Sequence, residues 1–263
     1  MTQEQILRTA LEQSALECGC TPAQFSADTP QLLPYRRHPA ARRYLPDPIE
    51  CDLVYYGRNI VAVTSERTRA AAAQYLARTP AYRCFETPAI YALNELLQPY
   101  RLKVCFMAEY WLPDIAALKP QPCPYTMRVL DLRCREQYAA LYQSGAWGNA
   151  LSSNPAWDVL AVGAYDGDTL VGLAGCSADC ETMYQIGVDV LPGYRRQGIA
   201  AAVTSRLALE VLRLGKVPFY CCAWSNVASA RNAFKSGFRP AWVQMTARDD
   251  SFVEGMVHPD ESS

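Results

Sequence analysis

Arg195, Gly198 and Ala200 stand in the order Arg-x-x-Gly-x-Ala, at a point where a strand gives way to a helix. Those residue types at that spacing suit an anion. The first amides of a helix have no partner inside it, and the helix dipole places partial positive charge there. A turn lined with such amides accepts phosphate. Gly198 allows close backbone approach, Ala200 keeps the first helical turn clear, and Arg195 and Arg196 add charge-assisted donors. The turn is neither a P-loop, which ends Gly-Lys-Ser/Thr, nor the dinucleotide pattern Gly-x-Gly-x-x-Gly. By chance it occurs at roughly one position in a thousand, so by itself it favours the plain reading, a helix start with a solvated arginine pair.

The elements that must hold this turn are legible on both sides. Ile186, Val188 and Val190 alternate with Gln185, Gly187 and Asp189, the period of a pleated strand. Pro192 and Gly193 end it. After the turn, Ile199, Val203, Leu207, Val211 and Leu214 form a helical stripe, stopped at Gly215. A second apolar strand is expected over Val217–Trp224. Ser225-Asn226 then opens a helix carrying Val227, Ala230 and Phe234. Gly237 stops that helix, and Phe238 starts a last strand through Trp242.

With these elements in place the chain resembles the GNAT superfamily of acyl-CoA-dependent N-acetyltransferases, over about Tyr125 to Arg248. The matching residues are Val188, Val190, Pro192, Tyr194, Arg195, Gly198, Ile199 and Ala200, then Asn226, Ser229, Lys235, Gly237 and Phe238. The stretch AWSNVASARNAFKSGFRPAW is also similar to zwittermicin-resistance-type acetyltransferases. The resemblance implies an α/β (α+β) fold with a mixed, largely antiparallel sheet flanked by helices. It implies acetyl-CoA as cofactor, gripped at its pyrophosphate by Arg195, Arg196, Gln197, Gly198, Ile199 and Ala200. It also implies that the Val188–Val190 strand splays from its neighbour, so that main-chain groups of Val188 and Val190 meet the pantetheine and the thioester oxygen. Asn226, with Ser229 one turn on, would hold the pantetheine. The plain alternative for Asn226 is a helix N-cap.

The reaction implied is transfer of an acetyl group to a primary amine of a small molecule by direct attack on the thioester. An alkylamine with a pKa near 10.4 sits about three units above neutrality, so its deprotonation costs roughly 4 kcal/mol. Asp189 is the candidate base; its plain alternative is an Asp held by an arginine or by backbone amides. Many relatives place a Tyr acid seven residues after the Asn, where this chain has Ala233. Ser229, Tyr220 or water would then protonate the leaving thiolate. The competing readings are a non-catalytic acyl-CoA-binding regulator and a peptide- or protein-modifying transferase.

Composition sets the outer limits. The chain has 263 residues, half of them hydrophobic, and a formal charge of −1. That is room for two domains, and no basic surface at domain scale points to nucleic acid. No apolar run is long enough to span a membrane and residues 1–20 do not read as a signal peptide. The expectation is a cytoplasmic protein, and nothing excludes a homodimer. The eleven cysteines fit no common zinc spacing, Cys18/Cys20, Cys176/Cys180 and Cys221/Cys222 included. They read as reduced thiols, mostly core filler. His38 and His258, the two histidines, show no metal spacing, and a Cys-His nucleophile pair finds little support.

A smaller α+β domain is expected over residues 1–120, then the acetyltransferase domain over 125–250 and a tail over 251–263. The first part reads as a capped helix from Thr2, a short helix at Thr21-Pro22, and an irregular stretch over 29–50. After these come a hairpin over 52–64, helices over 65–78 and 87–97, and a strand over 102–109. The basic cluster Arg36, Arg37, His38, Arg42 and Arg43 is either an anion site or a solvated face. This domain is a degenerate copy of the same fold or an unrelated cap, and it is expected to wall the acceptor's approach. Beyond the proline-rich linker, a strand over 126–130, a helix over 135–144 and a hairpin over 159–176 complete the sheet.

Overall fold

The computed structural model describes residues 1–257; His258 and the end of the expected tail lie outside them. The chain divides into two compact units. One comprises Met1–Ala10 and Trp111–Pro240, the other Leu11–Tyr110 and the residues from Ala241 on. The sequence places a boundary between 120 and 125, whereas the chain divides at 10/11, 110/111 and 240/241. The proline-rich segment belongs to the first of these units because Trp111 and Leu118 are buried in that unit's core.

The unit containing the Arg-x-x-Gly-x-Ala turn is built on strands β5 (Thr126–Asp131), β6 (Asp158–Asp166), β7 (Thr169–Ser177), β8 (Met183–Val190) and β9 (Val217–Ala223). They lie in the order β9-β8-β7-β6-β5. Pairing is antiparallel from β5 to β8 and parallel between β8 and β9. A parallel pair needs a crossover, and helix α5 (Ile199–Arg213) supplies it. Side chains alternate across the sheet. Val162, Ala174, Cys176 and Ile186 therefore join Ile199, Val203, Leu207 and Val211 of α5 in one core. On the opposite face Ala161 and Leu173 pack with Trp147, Ala150 and Leu151, from the segment just after the short helix α4 (Ala139–Gln143). Helix α6 (Val227–Lys235) completes this unit, and the strand after Gly237 begins in it.

In the other unit, β2 (Cys51–Tyr55) and β3 (Ile60–Thr64) form the expected hairpin across Gly57. The full order is β1-β3-β2-β10-β4. Strand β1 (Gln31–Pro34) pairs parallel to β3, within the stretch expected to be irregular. Strand β4 (Leu102–Pro113) runs past the expected end at 109 because Tyr110, Trp111 and Leu112 are buried. Strand β10 (Phe238–Asp249) pairs with β2 through Val243–Thr246. Helix α1 (Gln3–Cys18) passes from one unit into the other. Helices α2 (Arg69–Arg78) and α3 (Thr87–Leu97) contribute Tyr75, Leu93 and Leu97 to the second core. Helix α2 starts four residues later than expected, because Ser65 and Thr68 bond Glu50 instead. Helix α7 (Asp250–Val257) stands where a tail was expected.

Candidate active site

The site begins where β8 and β9 stop pairing. Their parallel register runs from Met183↔Val217 to Ile186↔Tyr220 and ends there, although β8 continues to Val190 and β9 to Ala223. On its other edge β8 stays paired with β7 through Gly172↔Val190. The antiparallel ladder determines which backbone groups this exposes. The Leu191 amide donates to the Val171 carbonyl (3.0 Å), so Leu191, Asp189 and Gly187 turn their peptide groups toward β7. The alternate residues Val188 and Val190 turn theirs toward the gap, where no strand pairs them. The Val190 carbonyl accepts from Arg195 Nε at 3.1 Å.

The turn after β8 is shaped by two left-handed residues. Arg196 has φ +65° and Gly198 has φ +87°. The first hydrogen bond of α5 runs from the Ala202 amide to the Gly198 carbonyl (3.1 Å). Ile199, Ala200 and Ala201 therefore have amides with no partner inside the helix. The Ile199 side chain is buried beneath Gly172, so Ile199 can meet a ligand only through its amide. Arg195, Arg196 and Gln197 are exposed. The Gln197 side chain accepts from the Tyr125 hydroxyl (2.9 Å), and Tyr125 meets Tyr194 edge-to-face. Lys235, part of the resemblance but assigned no role from sequence, puts its Nζ 3.9 Å from where a Gly198 Cβ would lie. The turn thus gathers free amides, a helix N-terminus and three cationic side chains, which fits a phosphate group.

Asn226 is the N-cap of α6, and its Oδ1 accepts from the Ser229 amide (3.0 Å). The capping role expected as the alternative is present, and Nδ2 remains as a donor. Ser229 Oγ pairs with the Tyr220 hydroxyl at 2.7 Å. Tyr220 is the last β9 residue in register with β8, so this pair lies where the strands part. Burial pushes the Tyr220 phenol above its usual range.

Asp189 faces the other side of the sheet from Val188 and Val190. Its Oδ2 accepts from the amides of Asn149 (2.8 Å) and Ala150 (2.9 Å), and its Oδ1 accepts from Asn149 Nδ2 (2.7 Å). Of the roughly four lone-pair directions of a carboxylate, three hold this segment. The same segment presses on two strand glycines. A Cβ at Gly187 would meet Asn149 O at 1.8 Å, and one at Gly175 would meet Ala150 O at 2.2 Å. The 149–150 contact was missed from sequence; its signal was glycine inside a strand pattern, which marks close backbone approach. Beside it, Asp158 accepts from the Tyr142 hydroxyl (3.0 Å) and the Ser152 amide, and burial pushes its carboxyl up to about 6.

Not every basic residue is a site. Arg42 is 1 % exposed, bound to Glu17 through Nε at 2.8 Å and set among the rings of Tyr44, Tyr110 and Trp242. That corrects its placement in an anion site or solvated face, since its guanidinium already has a buried carboxylate. Among the described residues no cluster of His, Cys, Asp and Glu could hold a metal ion, and no helix is long and apolar enough to cross a membrane.

Residues 156–241 match the GNAT acetyltransferase family. Among solved structures, the chain is similar to a GCN5-related N-acetyltransferase from Kribbella flavida, with 19 % identity and a TM-score of 0.45, over 59 % of this chain and 62 % of that one. A putative GNAT-family acetyltransferase from Novosphingobium aromaticivorans matches at 18 % identity and a TM-score of 0.41, over 56 % and 66 %. A putative acetyltransferase from Salmonella typhimurium, solved with its cofactor acetyl-CoA, matches at 18 % and 0.35, over 49 % and 95 %. The match thus spans slightly less than two thirds of the first two proteins. None of the curated proteins compared matches the chain. The parted strands, the open helix N-terminus and the similarity to the GNAT acetyltransferase family coincide in one stretch, residues 156–241.

Proposed function

We propose that this chain is an N-acetyltransferase that moves the acetyl group of acetyl-CoA to a primary amine of a small molecule by direct attack on the thioester. The observation that carries the proposal is the parting of β8 and β9 after Ile186↔Tyr220, directly ahead of the turn over 195–200. Acetyl-CoA supplies the activated acyl group. The amides of Ile199, Ala200 and Ala201, with Arg195, Arg196 and Lys235, would take its pyrophosphate. The peptide groups of Val188 and Val190, left without a strand partner, would pair with the pantetheine and polarise the thioester carbonyl. Asn226 Nδ2 would hold the pantetheine amide while Oδ1 caps α6.

Two side chains are proposed for the protons. Ser229, fixed by Tyr220, would donate toward the leaving thiolate, whose conjugate thiol has an ordinary pKa of about 8.5 and needs little help. Asp189 would accept the amine's proton through its one remaining lone-pair direction, directly or through water. A second reading, an acyl-CoA-binding protein without turnover, draws on two observations. Ala233 occupies the position of the relatives' tyrosine and is fully buried, and Asp189 is committed to the 149–150 backbone. Thiol release from acetyl-CoA with a panel of small amines separates the two. Release above the amine-free rate supports transfer; tight acetyl-CoA binding with no release under any amine supports the second reading.

A further inference from the structure

The turn over 195–200 holds a backbone conformation that one of its residues does not favour. Arg196 has φ +65°, a left-handed value that few residues other than glycine adopt. Such a conformation persists where the surroundings fix it. Ahead of it, Arg195 Nε donates to the Val190 carbonyl (3.1 Å) and the Tyr194 hydroxyl donates to Asp166 Oδ2 (3.1 Å). Behind it, the hold comes from far along the chain. The Tyr125 hydroxyl donates to Gln197 Oε1 at 2.9 Å, and Gln197 is the residue between Arg196 and Gly198. The Tyr125 ring also meets Tyr194 edge-to-face, with centroids 5.6 Å apart.

Tyr125 is itself held. It ends a strap, residues 118–125, that is fastened to the same unit at both ends. Leu118 packs so closely on Gly237 that a Cβ there would meet Leu118 Cα at 2.6 Å. The Gln121 amide donates to Ser205 Oγ of α5 (3.1 Å). Pro122 then brings its carbonyl oxygen to 3.9 Å from where a Gly198 Cβ would lie. At the far end Thr126 pairs with Tyr165 as β5 begins. The strap thus carries the Tyr125 hydroxyl to the turn from a mount fixed on both α5 and the sheet.

We propose that Tyr125 is a positioning residue for the donor site. It holds Gln197, and the left-handed Arg196 and Gly198 on either side, in the shape that takes a pyrophosphate. The chain thereby selects coenzyme A thioesters over pantetheine thioesters that lack that group. This rests on the reading of acetyl-CoA as the acyl donor. The Tyr125 hydroxyl acts in two ways. Because Gln197 Oε1 accepts from it, Nε2 is the end of the amide left to donate, the polarity an anion needs. A turn already in its binding shape also avoids the cost of ordering on binding. Both effects act at the pyrophosphate, and neither reaches the pantetheine, which the same reading lays along Val188, Val190 and Asn226.

The test compares Tyr125→Phe with the unaltered full chain, a substitution that keeps the ring against Tyr194 and removes only the hydroxyl. Affinity for acetyl-CoA is read by calorimetry, and affinity for acetyl-pantetheine by ligand-observed NMR. The acetyl-CoA Kd should rise roughly 3- to 10-fold, the range for losing one hydrogen bond, while the acetyl-pantetheine Kd stays the same. In a Gln197→Ala background Tyr125→Phe should have no further effect. Equal weakening of both donors would make Tyr125 a support of the fold alone and overturns the proposal. So does an unchanged acetyl-CoA Kd, or a loss that persists in the Gln197→Ala background. An unaltered chain that binds no acetyl-CoA overturns the donor reading itself, and the proposal with it.

Discussion

At the scale of the residue, the site turns on positions whose backbone matters more than their side chains. Gly198 holds φ +87° at the mouth of α5, a conformation that a β-branched residue adopts only under strain. Gly198→Val should remove measurable acetyl-CoA binding by calorimetry, and Ala200→Glu should do the same by placing a carboxylate among the free amides. Retained affinity in both variants, with folding confirmed by circular dichroism, would remove the grip from the proposal. Asp189 poses a different question, since it can act on a proton or simply hold Asn149 and Ala150. If it is the base, Asp189→Asn lowers turnover by ~10²–10⁴ at neutral pH, and the loss shrinks as pH rises and the amine becomes neutral. If it only holds the segment, the loss is the same at every pH. A pH–rate profile from 6 to 10 distinguishes these outcomes.

At the scale of the element, the sheet works because two of its strands part and because two glycines let a loop lie on its face. Replacing Gly187 with Ala puts a methyl 1.8 Å from the Asn149 carbonyl, so the segment must lift and lose its bonds to Asp189. We expect a destabilisation of about 1–3 kcal/mol, the range for overpacking a filled site, read as a lower urea midpoint. An unchanged midpoint would mean that the 149–150 segment yields without cost. Most elements could be read from periodicity and turn residues, among them the β2–β3 hairpin, α3 after Thr87-Pro88 and α5 after Gly198. Strand β1 could not, because Pro30 and Pro34 bracket it and its partner β3 lies thirty residues on in the chain. The late start of α2 was also hidden, since Glu50 draws Ser65 and Thr68 away from the helix.

At the scale of the molecule, the two units do not keep to the order of the chain. A chain beginning at Pro122 would lack Trp111 and Leu118 of the first unit's core, as well as the Asp114 amide that donates to the Gly237 carbonyl (2.9 Å). It would also leave β10 without its β2 partner. It should show no cooperative thermal transition; a sharp melt with intact acetyl-CoA binding would show that residues 122–263 suffice. The second unit makes its own prediction through Asp52, whose carboxylate is buried against Gln244 and Thr246. Burial pushes its carboxyl up to about 6 from the ordinary 3.8. The folded chain therefore holds this proton more tightly than the unfolded chain. Its contribution makes stability fall as pH rises from about 4 to about 6 and level off above, with a slope of up to ~1.4 kcal/mol per pH unit. Asp52→Asn should remove that component from the difference between urea series at pH 4 to 7, and an unchanged difference would place the titration elsewhere.

The sequence by itself determined what depends on neighbours along the chain. The strand-turn-helix around Gly198 and the capping of α6 by Asn226 are local matters of backbone conformation and residue type. Only the tertiary structure decided what depends on residues far apart in the chain. It showed that Val188 and Val190 face a gap, because that depends on where β9 stops pairing. It brought Lys235 to Gly198 and Asn149 to Asp189 across intervening strands and helices. It took Arg42 out of the basic cluster and buried it with Glu17. Charge and periodicity carry no record of such pairings, since a charged side chain reads the same in sequence whether it ends in water or against a carboxylate.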